Sequence, residues 1–191
     1  NPSNSLENAA RHADKAASMD WSLPQVHFVT GQIRLFQGRH AEAIAAAEHA
    51  IEVNPNYADA FALLAWTLNY AGRSEKAVLA LNMAMRLNPR PPASYLEILG
   101  EIYFAQGRYD DSANTFQNVL EINPVYLRAR LWNAAALVRA GSLDLAEWEI
   151  DEALVASPHL ALSRLAFAFP FKDPRLQETV LSALRYASLP D

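Results

Sequence analysis

The stretch Gly72–Pro89, GRSEKAVLALNMAMRLNP, sets the pattern for most of the chain. It contains a glycine, an alanine five residues later, a second alanine after seven more and a proline after another five. The same frame occurs three more times, as Gly38, Ala43, Ala50 and Pro55, as Gly107, Ser112, Val119 and Pro124, and as Gly141, Ala146, Ala153 and Pro158. Successive copies are separated by 34, 35 and 34 residues. A period of this length indicates stacked structural repeats.

Each copy of the frame predicts a pair of antiparallel helices. The glycine can adopt the left-handed conformation that ends a first helix. The small residue five positions later lies on the second helix, where the two helices approach most closely. The proline cannot continue a helix and therefore closes the second one. The predicted helices are 24–37 and 41–53, 58–71 and 75–87, 93–106 and 110–122, and 127–140 and 144–156.

The frame resembles the tetratricopeptide repeat, a helix–turn–helix unit of about 34 residues. Two departures are visible, because Ser112 and Val119 replace alanines and the segment Arg90–Pro92 contains one extra residue. The resemblance implies an all-α fold, an α-solenoid in the form of a right-handed superhelix of about four such units with terminal capping helices. The expected units are residues 24–57, 58–91, 93–126 and 127–160, preceded by an N-terminal helix or half-repeat in 1–23 and followed by capping helices in 161–191.

The residues outside the repeats also show helical patterns. Alanines at helical spacing predict a helix over about residues 4–18. A fifth unit begins after Pro158 and stops at Pro170, with apolar residues at Leu162, Leu165, Ala166, Phe167 and Phe169. Asp173-Pro174 then predicts a helix start, with the aspartate as N-cap. An apolar stripe follows that we expect to dock on the exposed end of the fourth unit, formed by Leu176, Val180, Leu184 and Ala187.

The closing segment is similar to the end of tetratricopeptide regions attached to bacterial class III adenylate/guanylate cyclases and to some membrane-linked transcription regulators. The matching residues are Pro170, Phe171, Lys172, Asp173, Pro174, Leu184, Arg185, Ala187, Leu189 and Pro190, with Ser188 where a glycine is expected. This resemblance implies that the chain is the non-catalytic part of a larger bacterial signalling protein. The chain begins at Asn1 rather than at a methionine, so we expect a catalytic or DNA-binding domain before it.

Composition argues against several classes of function. Sixteen Lys and Arg against 21 Asp and Glu give a net charge of −5, and the basic residues are scattered, which disfavours nucleic-acid binding. No apolar run is long enough to insert into a membrane. There are no cysteines, the five histidines lack metal-motif spacing, and every glycine occupies a repeat position. We therefore predict no catalytic residues, no metal and no cofactor, and expect a cytoplasmic location, or a periplasmic one if the parent protein has a transmembrane helix.

The resemblance places a concave groove along the first helices of the units. It implies that the groove is aromatic at one end, acidic in the middle and basic at the far end. Such aromatic side chains typically anchor a peptide or a helix. The predicted partner-binding residues are Phe28, Gln32, Phe36, Trp66, Asn69, Tyr70, Glu97, Glu101, Phe104, Arg128, Trp132 and Arg139.

Three functions remain open from the sequence. The first is a protein-interaction scaffold whose groove binds a segment of a partner or of the parent chain. The second is a homodimerisation or spacer module. The third is an autonomous enzyme, which would need titratable side chains that converge in a pocket.

Overall fold

The computed structural model describes residues 2–165 and 168–191 and shows ten α-helices in these ranges. No strand occurs in the described ranges, so the predicted all-α class is confirmed. A single turn of 3-10 helix spans Leu162–Arg164. The α-helices are α1 (Pro2–Met19), α2 (Pro24–Phe36), α3 (His40–Val53), α4 (Ala58–Tyr70), α5 (Ser74–Leu87), α6 (Ala93–Ala105), α7 (Tyr109–Ile122), α8 (Leu127–Ala140), α9 (Leu143–Ala156) and α10 (Pro174–Tyr186).

Helices α2 to α9 begin and end within one residue of the positions predicted from the glycine and proline frame. The turn after α4 shows the physical reason. Gly72 has a φ of 78°, in the left-handed region, and the next N–H, that of Arg73, donates to the carbonyl of Leu68 at 2.9 Å. This bond uses one of the free carbonyls at the end of α4 and turns the chain toward α5.

Contacts divide the chain into two compact units. The N-terminal unit contains the described residues up to Arg90 together with Pro170–Lys172. Within it, α2 packs against α3 and α4 against α5, while α3 and α2 both contact α4 and α1 packs on α2.

The C-terminal unit contains Pro91–Phe169 and Asp173–Asp191. Helix α6 packs against α7 and α8 against α9, and α7 and α6 both contact α8. Helix α10 packs on α8 through Val180 and Leu184, both fully buried, which confirms the docking predicted for this stripe. Asp173 caps α10 as predicted, by accepting a hydrogen bond from the backbone N–H of Arg175. Ala166 and Phe167, assigned above to the start of a fifth unit, lie outside the described residues.

The small residues of the frame lie where paired helices touch. Ala77 and Ala84 are fully buried on α5. In the third repeat, Ser112 is buried as well, and its hydroxyl donates to the carbonyl of Gly100 at 2.8 Å. A Cβ at Gly100 would lie 2.7 Å from the ring of Phe116. The serine is therefore accommodated by a hydrogen bond to the facing helix, and the glycine leaves room for an aromatic ring.

Candidate functional site

Half of the predicted groove residues lie on α2 and α4 of the N-terminal unit. Phe28, Gln32 and Phe36 are spaced four residues apart and share one face of α2. All three are half-buried, as is Trp66 on α4, whose ring centroid lies 5.5 Å from that of Phe36 in an edge-to-face arrangement. We call Phe28, Phe36 and Trp66 the aromatic row. Part of each of these side chains is open to solvent.

Tyr57 extends this surface beside Phe28, with ring centroids 6.0 Å apart. Burial of the phenol, and to a smaller extent the negative charge of Asp59, raises the pKa of Tyr57 above its ordinary value. The neutral hydroxyl is therefore favoured, and it can donate a hydrogen bond beside the aromatic row. Sequence reasoning missed Tyr57, which lies one residue before α4 and outside the helix-face pattern.

Tyr70 is fully buried, so the prediction that its ring faces an open groove is corrected. The ring of Phe171 lies on it, with centroids 4.5 Å apart, and the N–H of Lys172 donates to the Tyr70 carbonyl at 2.8 Å. His40 Nε2 donates to the carbonyl of Pro170 at 2.6 Å. Pro170–Lys172 thus fills the place beside Tyr70 that a partner was expected to occupy.

Asn69 is buried too, and its side chain has a local structural contact. Its Oδ1 accepts a hydrogen bond from the hydroxyl of Ser74 at 2.9 Å, which links the end of α4 to the start of α5. The expectation that Asn69 faces a groove is therefore corrected.

In the C-terminal unit, the predicted acidic residues Glu97 and Glu101 form an ion-pair network with Arg128. Arg128 on α8 donates from Nε to Glu97 at 2.5 Å and from Nη2 to Glu101 at 2.6 Å, both on α6. Its Nη1 donates to the carbonyl of Ala168 at 2.9 Å. Glu101 is fully buried and Glu97 nearly so. The expected separation of an acidic centre from a basic end is corrected, because α8 packs beside α6 and brings these charges together.

Tyr126 completes this network by donating its hydroxyl to Glu97 at 2.6 Å. Burial, together with the negative charge of Glu97, raises the pKa of Tyr126 well above its ordinary value. The phenol therefore stays protonated and remains a hydrogen-bond donor to the carboxylate.

Phe104 and Trp132 are core residues of the C-terminal unit, not exposed groove residues. The Trp132 centroid lies 5.3 Å from Phe104, and its ring stacks on Phe116 at 5.8 Å. Phe169 meets Trp132 edge-to-face at 5.1 Å. The prediction that Phe104 and Trp132 are exposed is corrected, since neighbouring aromatic rings, including one from the C-terminal segment, cover them.

Arg139 lies apart from the network, near the end of α8. It is exposed, and its guanidinium carbon lies 5.2 Å from the ring centroid of Tyr109. Of the twelve predicted residues, the structure leaves six at least partly open: Phe28, Gln32, Phe36, Trp66, Arg128 and Arg139.

Sequence reasoning also missed the covering role of Phe169 and Phe171. Both flank Pro170, where the fifth repeat pattern stops, and this interruption was the available signal. An aromatic–proline–aromatic segment outside a helix has apolar rings that must be buried elsewhere.

A separate cavity of about 460 Å³ lies in the N-terminal unit beside α2 and α3. His27 donates from Nε2 to the carbonyl of Trp21 at 2.8 Å, and Trp21 donates from Nε1 to His49 at 3.1 Å. His27 is buried. The rings of Trp21 and His49 are thus joined by a hydrogen bond, and the His27 ring is tied to the backbone of Trp21. The lining residues are Trp21, His27, Thr30, Arg34, Glu42, Ala45, Ala46 and His49.

Two features of the described ranges, 2–165 and 168–191, concern membrane and metal binding. None of the helices there combines the length and apolar character needed to cross a bilayer. Within the same ranges, no three or more His, Cys, Asp or Glu side chains converge in a way that could hold a metal ion.

Comparison with known proteins identifies the repeats. Two models of the tetratricopeptide repeat family match the chain, one over residues 35–101 and the other over residues 99–161. Residues 35–161 therefore consist of tetratricopeptide repeats, and the fold class is the α-solenoid of that family. Proteins built from these repeats are in general non-catalytic scaffolds for protein interaction.

Individual relatives are distant. The small glutamine-rich tetratricopeptide repeat-containing protein 2 of Mycosarcoma maydis is 29% identical over 85 residues, which is 44% of this chain and 24% of that protein. The chain spans a quarter or less of the length of the curated relatives that it matches. A thermophilic TPR protein of Thermus thermophilus has a TM-score of 0.72 at 21% identity, over 94% of this chain and 91% of that one. YrrB, described as a TPR protein with an unusual peptide-binding site, has a TM-score of 0.56 at 22% identity, over 83% and 81% of the two chains.

Proposed function

We propose that this chain is a protein-interaction scaffold that binds a peptide or helix of a partner, or of its own parent protein, on the aromatic row. The observation that carries the proposal is the partial exposure of Phe28, Phe36 and Trp66 on neighbouring helices. Comparable positions in the C-terminal unit are buried or paired within the chain. The repeat family, and the peptide-binding site described for YrrB, support the same class of function.

The chemistry of the aromatic row favours an apolar or aromatic side chain of the ligand. Each ring can bury on the order of 150 Å² of surface, and edge-to-face contacts add to that gain. Gln32 lies between Phe28 and Phe36 and offers an amide donor and acceptor to a peptide backbone. A few such contacts are enough for about micromolar binding once the cost of association is subtracted.

The wider context is a further proposal, namely that the parent is a bacterial signalling protein related to the cyclases named above. It is supported by the resemblance of the closing segment from Pro170 to Pro190. Ser188, which stands where that pattern has glycine, has a φ of 68°, so this position uses the backbone conformation that glycine favours.

The binding proposal is tested by selecting peptides on the immobilised chain from a phage-displayed random library and titrating them calorimetrically. The double variant Phe28→Ala/Trp66→Ala should bind the selected peptides at least about tenfold more weakly, a loss of about 1.4 kcal/mol or more. The control is Tyr186→Ala, which removes an aromatic ring that is 67% exposed on α10.

Circular dichroism should show that both variants keep their helix content. Equal affinity of the wild type and the double variant would contradict the assignment to the aromatic row. The same holds if Tyr186→Ala weakens binding as much as the double variant does.

A further inference from the structure

A second apolar surface lies on α9, in the C-terminal unit. Leu145, Trp148 and Val155 are 58%, 54% and 79% exposed. At 100° per residue, the three side chains fall within an arc of about 80° on the helix surface. They lie on one side of the helix, together with Glu152, and we call these three apolar side chains the α9 stripe. Helix α10, which follows α9 in the chain, packs on α8 and leaves the stripe exposed.

The repeat frame shows that the stripe departs from the rest of the chain. The equivalents of Leu145 and Val155 in the three earlier repeats are exposed charged residues, whereas the fourth repeat has apolar side chains at both positions. At the position of Leu145 they are Glu42, Lys76 and Asp111, and at the position of Val155 they are Glu52, Arg86 and Glu121. Leucine or valine at a solvent-exposed position that carries a charged residue in the other repeats does not stabilise the free chain. The apolar residues at these two positions therefore indicate a surface that a binding partner covers.

Trp148 is held in place before any partner arrives. The guanidinium carbon of Arg130 lies 5.5 Å from the centroid of its ring. Arg130 also pairs with Glu149 at 2.6 Å and with Glu152 at 3.5 Å, which fixes the guanidinium. A preorganised tryptophan loses little conformational freedom on binding and is a common energetic centre of interfaces.

The charge along α9 restricts which partner fits. The helix carries five carboxylates and neither lysine nor arginine. Two of the five, Glu149 and Glu152, are paired with Arg130. Asp144 and Asp151 are exposed beside the stripe, with Glu147 half-buried on the same side. Within the part of the chain that the structure describes, none of these last three has an ion-pair partner.

We propose that the α9 stripe binds an amphipathic helix of another protein that has lysine or arginine along one edge of its apolar face. Leucine-like residues of that helix cover Trp148 and its neighbours, and the basic edge lies against Asp144 and Asp151. A second copy of this chain would bring the same acidic edges together, which is repulsive. A lipid surface is disfavoured as well, because helices that lie on membranes have a basic polar face. This site is separate from the aromatic row and goes beyond the function proposed above.

The test uses two synthetic helices with the same leucines at i, i+3, i+7 and i+10, one with a lysine edge and the other with a glutamate edge. The chain is labelled with 5-fluorotryptophan, so that each of its four tryptophans gives its own ¹⁹F resonance. The lysine helix should shift the Trp148 resonance on titration, and the glutamate helix should bind at least about tenfold more weakly. The variant Leu145→Lys/Val155→Glu, which restores charges found in earlier repeats, should lose the response to the lysine helix and keep its helix content.

The proposal is overturned if the two helices bind equally, if neither binds, or if the lysine helix shifts Trp66 and leaves Trp148 unchanged. It is also overturned if light scattering shows a dimer that the double variant abolishes, because the occupant would then be a second copy. Since Trp66 reports on the aromatic row and Trp148 on α9, failure at one site is distinguished from failure at the other.

Discussion

At the scale of single residues, Ser188 carries a backbone conformation that costs stability. Its φ is 68°, and the N–H of Leu189 donates to the carbonyl of Leu184 at 3.1 Å, which is the bond pattern seen after Gly72. A non-glycine residue in the left-handed region costs about 1–2 kcal/mol. The other four helix ends with this conformation all use glycine, so Ser188 is the exception among the described residues.

We therefore expect Ser188→Gly to stabilise the chain. Relief of the backbone strain outweighs the extra entropy of glycine in the unfolded state, and the net gain should be about 0.5–1 kcal/mol. Urea denaturation followed by circular dichroism measures the change. Ser182→Gly, inside α10 where the backbone angles are helical, should instead destabilise by about 0.5 kcal/mol. A loss of stability in Ser188→Gly would contradict the strain assigned to this position.

Because of Tyr126, we expect the free energy of unfolding to depend on pH in the alkaline range. Its folded-state pKa is raised, whereas in the unfolded chain the phenol ionises near its ordinary value of 10.0. Above that value the unfolded state binds fewer protons than the folded state, so the free energy of unfolding falls as pH rises toward the folded pKa. The contribution of Tyr126 to the free energy of unfolding is fully present below the pKa that its phenol has in the unfolded chain.

Urea melts below and above pH 10 should show this loss in the wild type, and a smaller loss in Tyr126→Phe. Tyr57, whose pKa is also raised, is present in both proteins. The difference between their losses of stability with pH is therefore due to Tyr126. Parallel pH profiles for the two proteins would show that Tyr126 does not titrate as described.

At the scale of helices, Arg128 joins α8 to α6 through two buried carboxylates. Arg128→Ala would leave Glu97 and Glu101 buried without their counter-charge, and such uncompensated burial costs about 3–5 kcal/mol. Denaturant melts measure this cost. Arg139→Ala, at an exposed position on the same helix, should change stability by about 0.5 kcal/mol or less. If both variants change the free energy of unfolding by a similar small amount, the ion-pair network of Arg128 contributes little to stability.

The helices were predictable because their ends are determined by nearby residues. Gly72, for example, ends α4 through its own backbone angle and a bond from the next residue, Arg73, to Leu68. The proline of each frame stops the second helix in the same local way. Such signals can be read from a short window of sequence.

The exposure of the site residues was not predictable in this way. Phe28 and Trp66 keep open surface, whereas Tyr70 is covered by Phe171, about a hundred residues later in the chain. A helix-face pattern gives the side on which a residue lies but not what covers that side. Coverage depends on the path of residues 168–172, which belong to no repeat.

At the scale of the whole molecule, the short segment Pro170–Lys172 completes the N-terminal unit. Phe171 is 7% exposed and lies against Tyr70. Phe171→Ala should therefore cost about 3 kcal/mol, as for other buried phenylalanines. Lys172→Ala is the matched control, because its side chain is exposed and its N–H still donates to Tyr70. If both variants melt like the wild type, the C-terminal segment does not stabilise the N-terminal unit.

We propose that the chain binds a partner on the open part of the aromatic row and not on the positions that its own residues cover. The most direct measurement is the ¹⁹F spectrum of the 5-fluorotryptophan-labelled chain during titration with a library-selected peptide. We expect the Trp66 resonance to shift in a saturable manner while that of the buried Trp132 stays unchanged. A saturable shift of Trp132 with Trp66 unaffected would contradict it, since the peptide would then have displaced Phe169 and bound where the chain covers itself.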